Sequence, residues 1–502
     1  MESLLNHSYS STPTEITGER HTTGIMWFTN DLRLHDNATL RAAGQQCDQL
    51  VCVYVVQSEP SHHQQLARQH QRIECGLQGV GRNRLRQQFE QESLGSLSHG
   101  LRLLGQELLI LQGAPLEIIA QCIQQYRATA VFSSVNAGWY ENQTLYQLKQ
   151  HYPQLALHRY HTHTLFEPAQ VNLERGFAQT FSKFRRQMES VGTIDAKAPV
   201  SKLPPSPIFD QSANKQGKNK GVNANYVYIK SKEDVNSPGL YSSSLVSSEE
   251  KFTGGEYAAL DHISAYFDTK KRLPSQYKLV RNALDGWEHS TKLSAWLANG
   301  CLSVREVVKI LEEYEGICGA NESTYWIYFE LLWREYFQWY AHYYGLYLYR
   351  FSGIKKKKPL TSFYPQRFQQ WCEGTTPFTL VNACMIQLKT TGYLSNRGRQ
   401  IVASCFVNEL NLDWRYGAAY FEKTLIDYDV AANWGNWQYL AGVGADPRGK
   451  RHFDLKKQTQ QYDPDGIFQK KWATNVTDNN LILDAVDAAD WPLDPDSNRA
   501  SL

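Results

Sequence analysis

Four short apolar runs, separated by helix-length amphipathic segments, mark the first third of the chain. The runs are Gly24–Phe28, Leu50–Val56, Leu108–Leu111 and Ala130–Phe132, and Arg82–Leu104 is an example of the segments between them. The second run is richer in β-branched residues than the first. Nearly continuous apolar strands that alternate with helices are typical of a parallel sheet covered on both faces. The pattern therefore predicts an N-terminal α/β domain over residues 24–165.

The periodic apolar pattern is lost in the middle of the chain and then returns as helices. Residues 199–255 are rich in Ser, Lys, Asn, Gly and Pro, which is typical of a long, partly disordered linker. We place the interdomain linker at residues 166–255. Residues 256–474 are predicted to form an almost entirely helical domain, and an acidic, weakly patterned tail at residues 475–502 is predicted to be flexible.

Composition and charge narrow the class of protein. The 52 basic and 50 acidic residues give a formal net charge of +2, which excludes a histone-like polycation but allows a local basic patch. The nine cysteines are scattered, and their spacing predicts reduced intracellular thiols and no zinc site. The first 23 residues lack the apolar region of a secretory signal, and no apolar run is long enough to span a bilayer. We expect a cytoplasmic protein, or a nuclear or organellar one in a eukaryotic host, with no bound metal.

The most informative chemistry lies late in the chain. The segment Asp427–Trp437 places two carboxylates, a carboxamide and two indoles within eleven residues, and the basic run Asn396–Gln400 and a helix carrying Trp414 precede it. Carboxylates and amides can bind the polar edge of a ring system, and indoles can transfer single electrons. These residues predict a redox cofactor in the helical domain. A second interpretation of Asp427 and Asp429, as helix caps or a solvated acidic turn, stays open.

Several motifs, in order and spacing, resemble those of the photolyase/cryptochrome flavoproteins, and within them the DASH-type cryptochromes. The general markers are Trp27–Asn37, Thr291–Ser294, Gly300–Ser303, Phe329–Phe337 and Asn396–Trp437, and those that resemble the DASH type are Phe181–Glu189, Tyr439 and Gly442–Gly444. The resemblance runs from about Ile25 to Trp472 and is interrupted by the linker. It implies an N-terminal α/β domain, an interdomain linker and a C-terminal helical domain that holds a U-shaped FAD.

The resemblance implies a role for each residue of a flavin site. The diphosphate would be held by Tyr277, Thr291, Lys292, Leu293 and Ser294, because amides and hydroxyls at a helix start suit phosphate oxygens. An ordinary N-cap is the alternative for that loop. Asn396 and Arg399 would flank the isoalloxazine ring, with Arg399 paired to Asp427. Asp429 would accept hydrogen bonds near the flavin or its ribose, and Asn433 would lie near flavin N5.

The resemblance also implies a pocket for damaged DNA. Glu330 would hydrogen-bond a pyrimidine carbonyl and supply a proton, and Trp333 would stack on the dimer. Tyr439 would form the opposite wall, and Arg281 and Arg397 would face the DNA backbone. The alternatives are a surface ion pair between Glu330 and Arg334 and core packing of Trp333.

The implied function is light-driven repair of cyclobutane pyrimidine dimers, mainly in single-stranded or looped DNA. This is a carbon–carbon lyase reaction with FAD as the electron donor. Two rival hypotheses are a blue-light photoreceptor without a physiological repair role, with a signalling partner that is not identified, and a flavin-binding relative that has lost activity. The resemblance further implies a monomer.

Some positions depart from the family pattern. Trp437 and Trp414 match the first two of three tryptophans that lead to the surface, but Thr361 stands at the third, with Tyr364 or Trp371 as candidate substitutes. Thr29 stands where relatives carry Arg. Asn382 stands where they carry Asp, so a structural charge pair is predicted to be missing. Glu141 falls at the position of the main carboxylate partner of a methenyltetrahydrofolate antenna, although a solvated surface Glu remains the alternative.

Overall fold

A six-stranded sheet forms the N-terminal domain of the protein. The computed structural model describes residues 20–57, 83–207, 225–226, 252–447 and 451–473. The strands are β1 (His21–Phe28), β2 (Cys47–Gln57), β3 (Leu108–Gly113), β4 (Ala130–Ser134), β5 (Ala156–Tyr160) and β6 (Asn225–Tyr226). Their spatial order is β5-β4-β1-β2-β3-β6. The first five strands pair in parallel and β6 pairs antiparallel to β3, so the predicted parallel sheet is confirmed.

Side chains alternate between two cores on the two faces of this sheet. In β1, Ile25 and Trp27 face one core, whereas Met26 and Phe28 face the other. This alternation follows from the two-residue period of a strand. Helices cover both faces, as the apolar runs predicted. They are α1 (Ala38–Gln46), α2 (Arg84–Leu103), α3 (Pro115–Tyr126) and α4 (Trp139–His151). The edge strand β5 was not predicted, because every residue in it is only partly buried and its sequence therefore has no apolar run.

The second part of the described chain is helical, as predicted. Its helices are α5 (Pro168–Val171), α6 (Phe181–Met188), α7 (Glu256–Tyr266), α8 (Tyr277–Val280), α9 (Ser294–Asn299), α10 (Val304–Cys318), α11 (Glu322–Tyr344), α12 (Pro365–Glu373), α13 (Thr379–Thr391), α14 (Asn396–Asn408), α15 (Trp414–Thr424), α16 (Val430–Leu440), α17 (Leu455–Tyr462) and α18 (Ile467–Trp472). In the ranges that the structure describes, no helix is both long and apolar enough to cross a bilayer.

The predicted linker and tail are only partly covered by these elements. Strand β6 and helices α5 and α6 fall within the predicted linker, residues 166–255. Most of residues 208–251 and all of the predicted tail at residues 475–502 lie outside the described residues. The domain boundaries therefore stay predictions.

Two family markers form a buried polar contact between the domains. The fully buried guanidinium of Arg33 donates from Nη1 to Gly300 O (3.0 Å) and from Nη2 to Thr162 O (2.7 Å). The carboxylate of Glu335 accepts from the amides of Leu165 (2.9 Å) and Phe166 (3.2 Å). Buried charged groups require such partners, because burying them without hydrogen bonds is costly. These motif residues therefore hold the helical domain against the sheet.

A neutral cluster occupies the position where the sequence predicts a missing charge pair. Asn382 Oδ1 accepts hydrogen bonds from Thr376 N (2.9 Å) and Thr376 Oγ1 (2.7 Å), and Asn382 Nδ2 donates to Thr376 O (2.7 Å). Asn382 is almost fully buried. These three bonds satisfy the buried amide without an opposite charge.

Candidate functional site

A cavity of about 260 Å³ opens in the helical domain between α8, α9, α14 and α16. Its lining includes many of the predicted site residues: Tyr277, Arg281, Thr291, Lys292, Leu293, Ser294, Glu330, Asn396, Arg399, Asp427, Asp429, Asn433 and Trp437. It also includes residues that the sequence did not single out, such as Tyr393 and Ser395. Ser395 carries a local signal, since it is the N-cap of α14 and accepts from Gly398 N at 3.1 Å.

The Arg399–Asp427 pair lies in the wall of this cavity. Arg399 Nη2 donates to Asp427 Oδ2 at 2.7 Å, and the Asp427 side chain is only 1% exposed. Asp427 Oδ1 is buried and has no hydrogen-bond partner among the described residues. A buried carboxylate oxygen without a donor is costly, so this atom fits a ligand that presents an N–H or O–H group.

Asp429 has a different role from Asp427. Its Oδ1 caps α16 by accepting from Ala432 N at 2.8 Å, and its Oδ2 accepts from Gln338 Nε2 at 2.7 Å. The helix-cap interpretation therefore applies to Asp429, although the residue also lines the cavity. On the same helix, Asn433 Nδ2 donates to Ala418 O at 3.0 Å, which fixes the orientation of the amide.

The loop from Thr291 to Ser294 meets the cavity at the start of α9. Lys292 has a φ of +52°, and Thr291 O is bonded to His262 Nε2 at 2.8 Å. The cap residue Leu293 makes no side-chain hydrogen bond to the first amides of α9. The ordinary N-cap interpretation of this loop is therefore wrong, and its amides remain available to an anion.

Glu330 projects from α11 into the same cavity, where it forms an ion pair with Arg281. The alternative pair with Arg334 is not formed, because Arg334 Nη1 donates instead to His163 O at 2.6 Å. Burial raises the pKa of Glu330, while the nearby Arg281 opposes the shift. Arg281 also lies over the ring of Trp326, with its Cζ 4.5 Å from the ring centroid.

Trp333 and Tyr439 lie outside the cavity lining and form adjacent sides of a corner. Their ring centroids are 5.8 Å apart at an interplanar angle of 78°. The prediction that Tyr439 forms the wall opposite Trp333 is therefore wrong, because the two rings meet edge to face without room for a base between them. The guanidinium of Arg451 lies over Tyr439 and donates to its hydroxyl.

Arg397 also lies outside the cavity lining, close to Arg281. Its Nη2 donates to Asn282 Oδ1 at 3.2 Å, and its Cζ is 4.7 Å from the ring centroid of Tyr462. Burial lowers the pKa of Arg397, and the positive charge of Arg281 lowers it further. The two arginines predicted to face DNA therefore lie close together, although Arg281 is paired with Glu330.

The two tryptophans predicted to begin the path both lie inside the protein. Trp437 lines the cavity and Trp414 is fully buried at the start of α15. Thr361 lies beside that helix start, since its neighbour Ser362 bridges to Leu412. The assignment of Thr361 to the third position of the path stays a prediction.

Trp371 is unsuited to the predicted surface position of the path. Its ring centroid lies 6.2 Å from that of Trp437, so it adjoins the first member of the path. It is also fully buried. The other candidate, Tyr364, is only partly buried and lies against the guanidinium of Arg367, whose Cζ is 4.0 Å from the ring centroid.

Glu141 lies in the first turn of α4, facing the helical domain. Its side chain remains accessible to solvent, which agrees with the surface alternative. The surrounding protein nevertheless raises its pKa to about 7 by desolvation, and the carboxylates of Glu422 and Asp429 add to the shift. A folate antenna at this residue stays a prediction.

Comparisons with known proteins agree with this architecture over most of the chain. A family model described as "DNA photolyase" matches residues 24–205, and one described as "FAD binding domain of DNA photolyase" matches residues 326–490. The chain is 44% identical over 475 residues to a cryptochrome DASH of Idiomarina loihiensis, and the match covers 94% of this chain and 96% of that protein. A cryptochrome DASH of Vibrio parahaemolyticus is 46% identical over 471 residues, and the match covers 94% of this chain and 97% of that protein.

The chain belongs to the DASH cryptochromes of the photolyase/cryptochrome family. The crystal structure of a Synechocystis cryptochrome has the same fold, with a TM-score of 0.75 and 33% identity over 90% of this chain and 89% of that one. FAD is therefore the cofactor of the helical domain. The orphaned Asp427 oxygen, the uncapped amides of α9 and the Arg399 side chain all fit a flavin nucleotide in the cavity.

We expect Asp427→Asn to weaken FAD binding by at least about tenfold, because a charge-assisted hydrogen bond contributes roughly 1.5–3 kcal/mol. The measurement is the flavin content of purified protein, followed by the Kd for FAD after reconstitution. Asp413→Asn is the matched control, since Asp413 is also buried and paired with an arginine, Arg415, but lies outside the cavity lining. Equal flavin retention by the two variants would remove Asp427 from the FAD site.

Proposed function

We propose that this DASH cryptochrome is a light-driven lyase that splits cyclobutane pyrimidine dimers, mainly in single-stranded DNA. The position of Glu330 carries the proposal. This residue lines the cofactor cavity, and Trp333 follows one turn later on the same helix, α11. A dimer stacked on Trp333 would therefore lie next to the cofactor, as transfer of an electron between them requires.

The residues of this chain would bind and orient the dimer. The chemistry supplied by bound, reduced FAD is light-driven donation of one electron, which returns after the dimer opens, so no net oxidation occurs. Glu330 would hydrogen-bond a pyrimidine carbonyl. Burial raises the pKa of Glu330, and in its protonated form the carboxyl group can donate to that oxygen. Arg281 and Arg397 would contact phosphates on the DNA backbone.

The preference for single strands follows from the cost of extracting the dimer. A dimer in a duplex must be unpaired and unstacked before it enters the pocket, whereas a single strand avoids the unpairing cost. In this pocket a base can stack on Trp333, whereas the plane of the Tyr439 ring is steeply inclined to the Trp333 ring. This corner offsets less of the unpairing cost than two stacking faces would.

The test is repair of a thymine dimer in a short oligonucleotide under blue light. We expect the single strand to be repaired faster than the matched duplex, with no repair in the dark. The lyase proposal is discarded, and a photoreceptor role favoured, if FAD-loaded and chemically reduced protein repairs neither substrate.

A further inference from the structure

Helix α6 lies against α11, beside the proposed lesion pocket. It begins the marker segment Phe181–Glu189, for which the proposed function gives no role. Two of its aromatic side chains, Phe181 and Phe184, are 6% and 1% exposed. They point toward the aromatic side chains of α11, and so α6 contributes to the environment of that helix.

The closest ring stack in this region joins Phe181 to Trp333. Their centroids are 3.7 Å apart and their planes are within 12° of parallel. Phe181 also meets Phe329 edge to face at 5.1 Å and 84°. The edge-to-face contact holds the Phe181 ring in place, and the parallel stack covers one face of the Trp333 indole.

Phe337 also stacks on this indole, with ring centroids 5.7 Å apart at 28°, so a base can stack only on the part of the Trp333 ring that remains exposed. The covering ring also restricts the side-chain torsions of Trp333, because rotating the indole would separate the two rings. Trp333 is still partly exposed, so part of its surface remains open to a ligand. An indole that is ordered in advance loses less conformational freedom when a base stacks on it.

We propose that Phe181 is a positioning residue of the lesion pocket, holding the Trp333 indole in one plane so that a base of the dimer stacks on the part of the ring that remains exposed. The inference rests on the proposed function. It assigns a role to α6, whose Phe181 does not touch the reacting atoms but acts through Trp333. The role concerns recognition of the lesion and leaves FAD binding unaffected, since Phe181 is not in the cavity lining.

The test compares Phe181→Leu with Phe184→Leu in the full-length, FAD-loaded protein. Phe184 is the matched control, because it is buried on the same helix but packs on Phe177 and Tyr336. The measurement is the Kd for a single-stranded oligonucleotide with a thymine dimer and for the same oligonucleotide without it. We expect Phe181→Leu to lower the preference for the dimer by about two- to tenfold. Phe184→Leu should leave this preference unchanged.

A double-mutant cycle with Trp333→Ala then tests whether the effect passes through Trp333. In that background, Phe181→Leu should cause no further loss of preference for the dimer. If Phe181→Leu and Phe184→Leu show the same preference for the dimer while the wild-type protein repairs dimers, the role of Phe181 is overturned. The proposed function would then still stand. Wild-type protein that neither repairs dimers nor prefers dimer-containing DNA would overturn the proposed function, and this inference with it.

Discussion

Gly300→Ala is expected to prevent the accumulation of folded protein. Gly300 has a φ of +69°, and a Cβ there would lie 1.6 Å from Asn30 O and 2.6 Å from the Cα of Asp31. These are backbone atoms of the buried contact between the domains, so they cannot move aside as the end of a flexible side chain could. We expect a loss of more than about 4 kcal/mol in the free energy of unfolding, which exceeds the usual effect of one substitution.

The effect of Gly300→Ala combines backbone strain at a positive φ with overlap between the new Cβ and neighbouring backbone atoms. Gly105→Ala measures the strain by itself. Gly105 has a similar φ of +75°, but no other described atom lies within 4 Å of the position of its Cβ. Only the strain of a left-handed alanine remains, which costs roughly 1–2 kcal/mol. The measurement is the yield of soluble protein and the midpoint of urea unfolding. Similar midpoints for the two variants would mean that the approach of Asn30 to Gly300 is not tight in solution.

Glu330→Ala is expected to lower repair of a single-stranded thymine dimer by about two- to tenfold, since a hydrogen bond between neutral groups contributes roughly 0.5–1.5 kcal/mol. The repair rate is expressed per bound FAD, because Glu330 lines the cofactor cavity. The matched control is Glu322→Ala, because Glu322 lies on the same helix and pairs with Lys278 of α8 much as Glu330 pairs with Arg281. The rate of repair under saturating light and the Kd for the damaged strand separate catalysis from binding.

The pH dependence of repair distinguishes proton donation from hydrogen bonding alone. Burial raises the pKa of Glu330, so its protonated fraction falls as the pH rises through that value. If the proton is donated, repair by the wild-type protein should fall along the same curve. Glu330→Gln, which can still donate a hydrogen bond but cannot titrate, should lose this dependence. An unchanged pH profile in Glu330→Gln would assign the dependence to another group.

Two aspartates close together in the sequence make different contacts at the cavity. Asp427 and Asp429 are two residues apart and were predicted to have related roles. Asp429 caps α16, while Asp427 pairs with Arg399 and keeps one oxygen for a ligand. The difference depends on where α14 and α16 meet, and this is set by contacts between residues far apart in the chain.

Patterns within short segments were enough to determine several features of this protein. The apolar runs identified strands β1 to β4, because strands buried on both faces must be apolar throughout. The periodic apolar pattern after the linker identified the helical domain. The motifs identified the family and most of the cavity lining, because residues that bind one cofactor come from a few short segments. Strand β5 was missed, since a partly exposed edge strand imposes no apolar pattern.

Only the tertiary structure decided how side chains from different segments meet. It pairs Glu330 with Arg281 rather than with its helical neighbour Arg334. It sets Trp333 and Tyr439 at a corner. It also stacks Phe181 on Trp333 across 152 positions of sequence. Such contacts depend on the packing angles of helices and on which buried polar groups find partners, and neither is encoded within one segment.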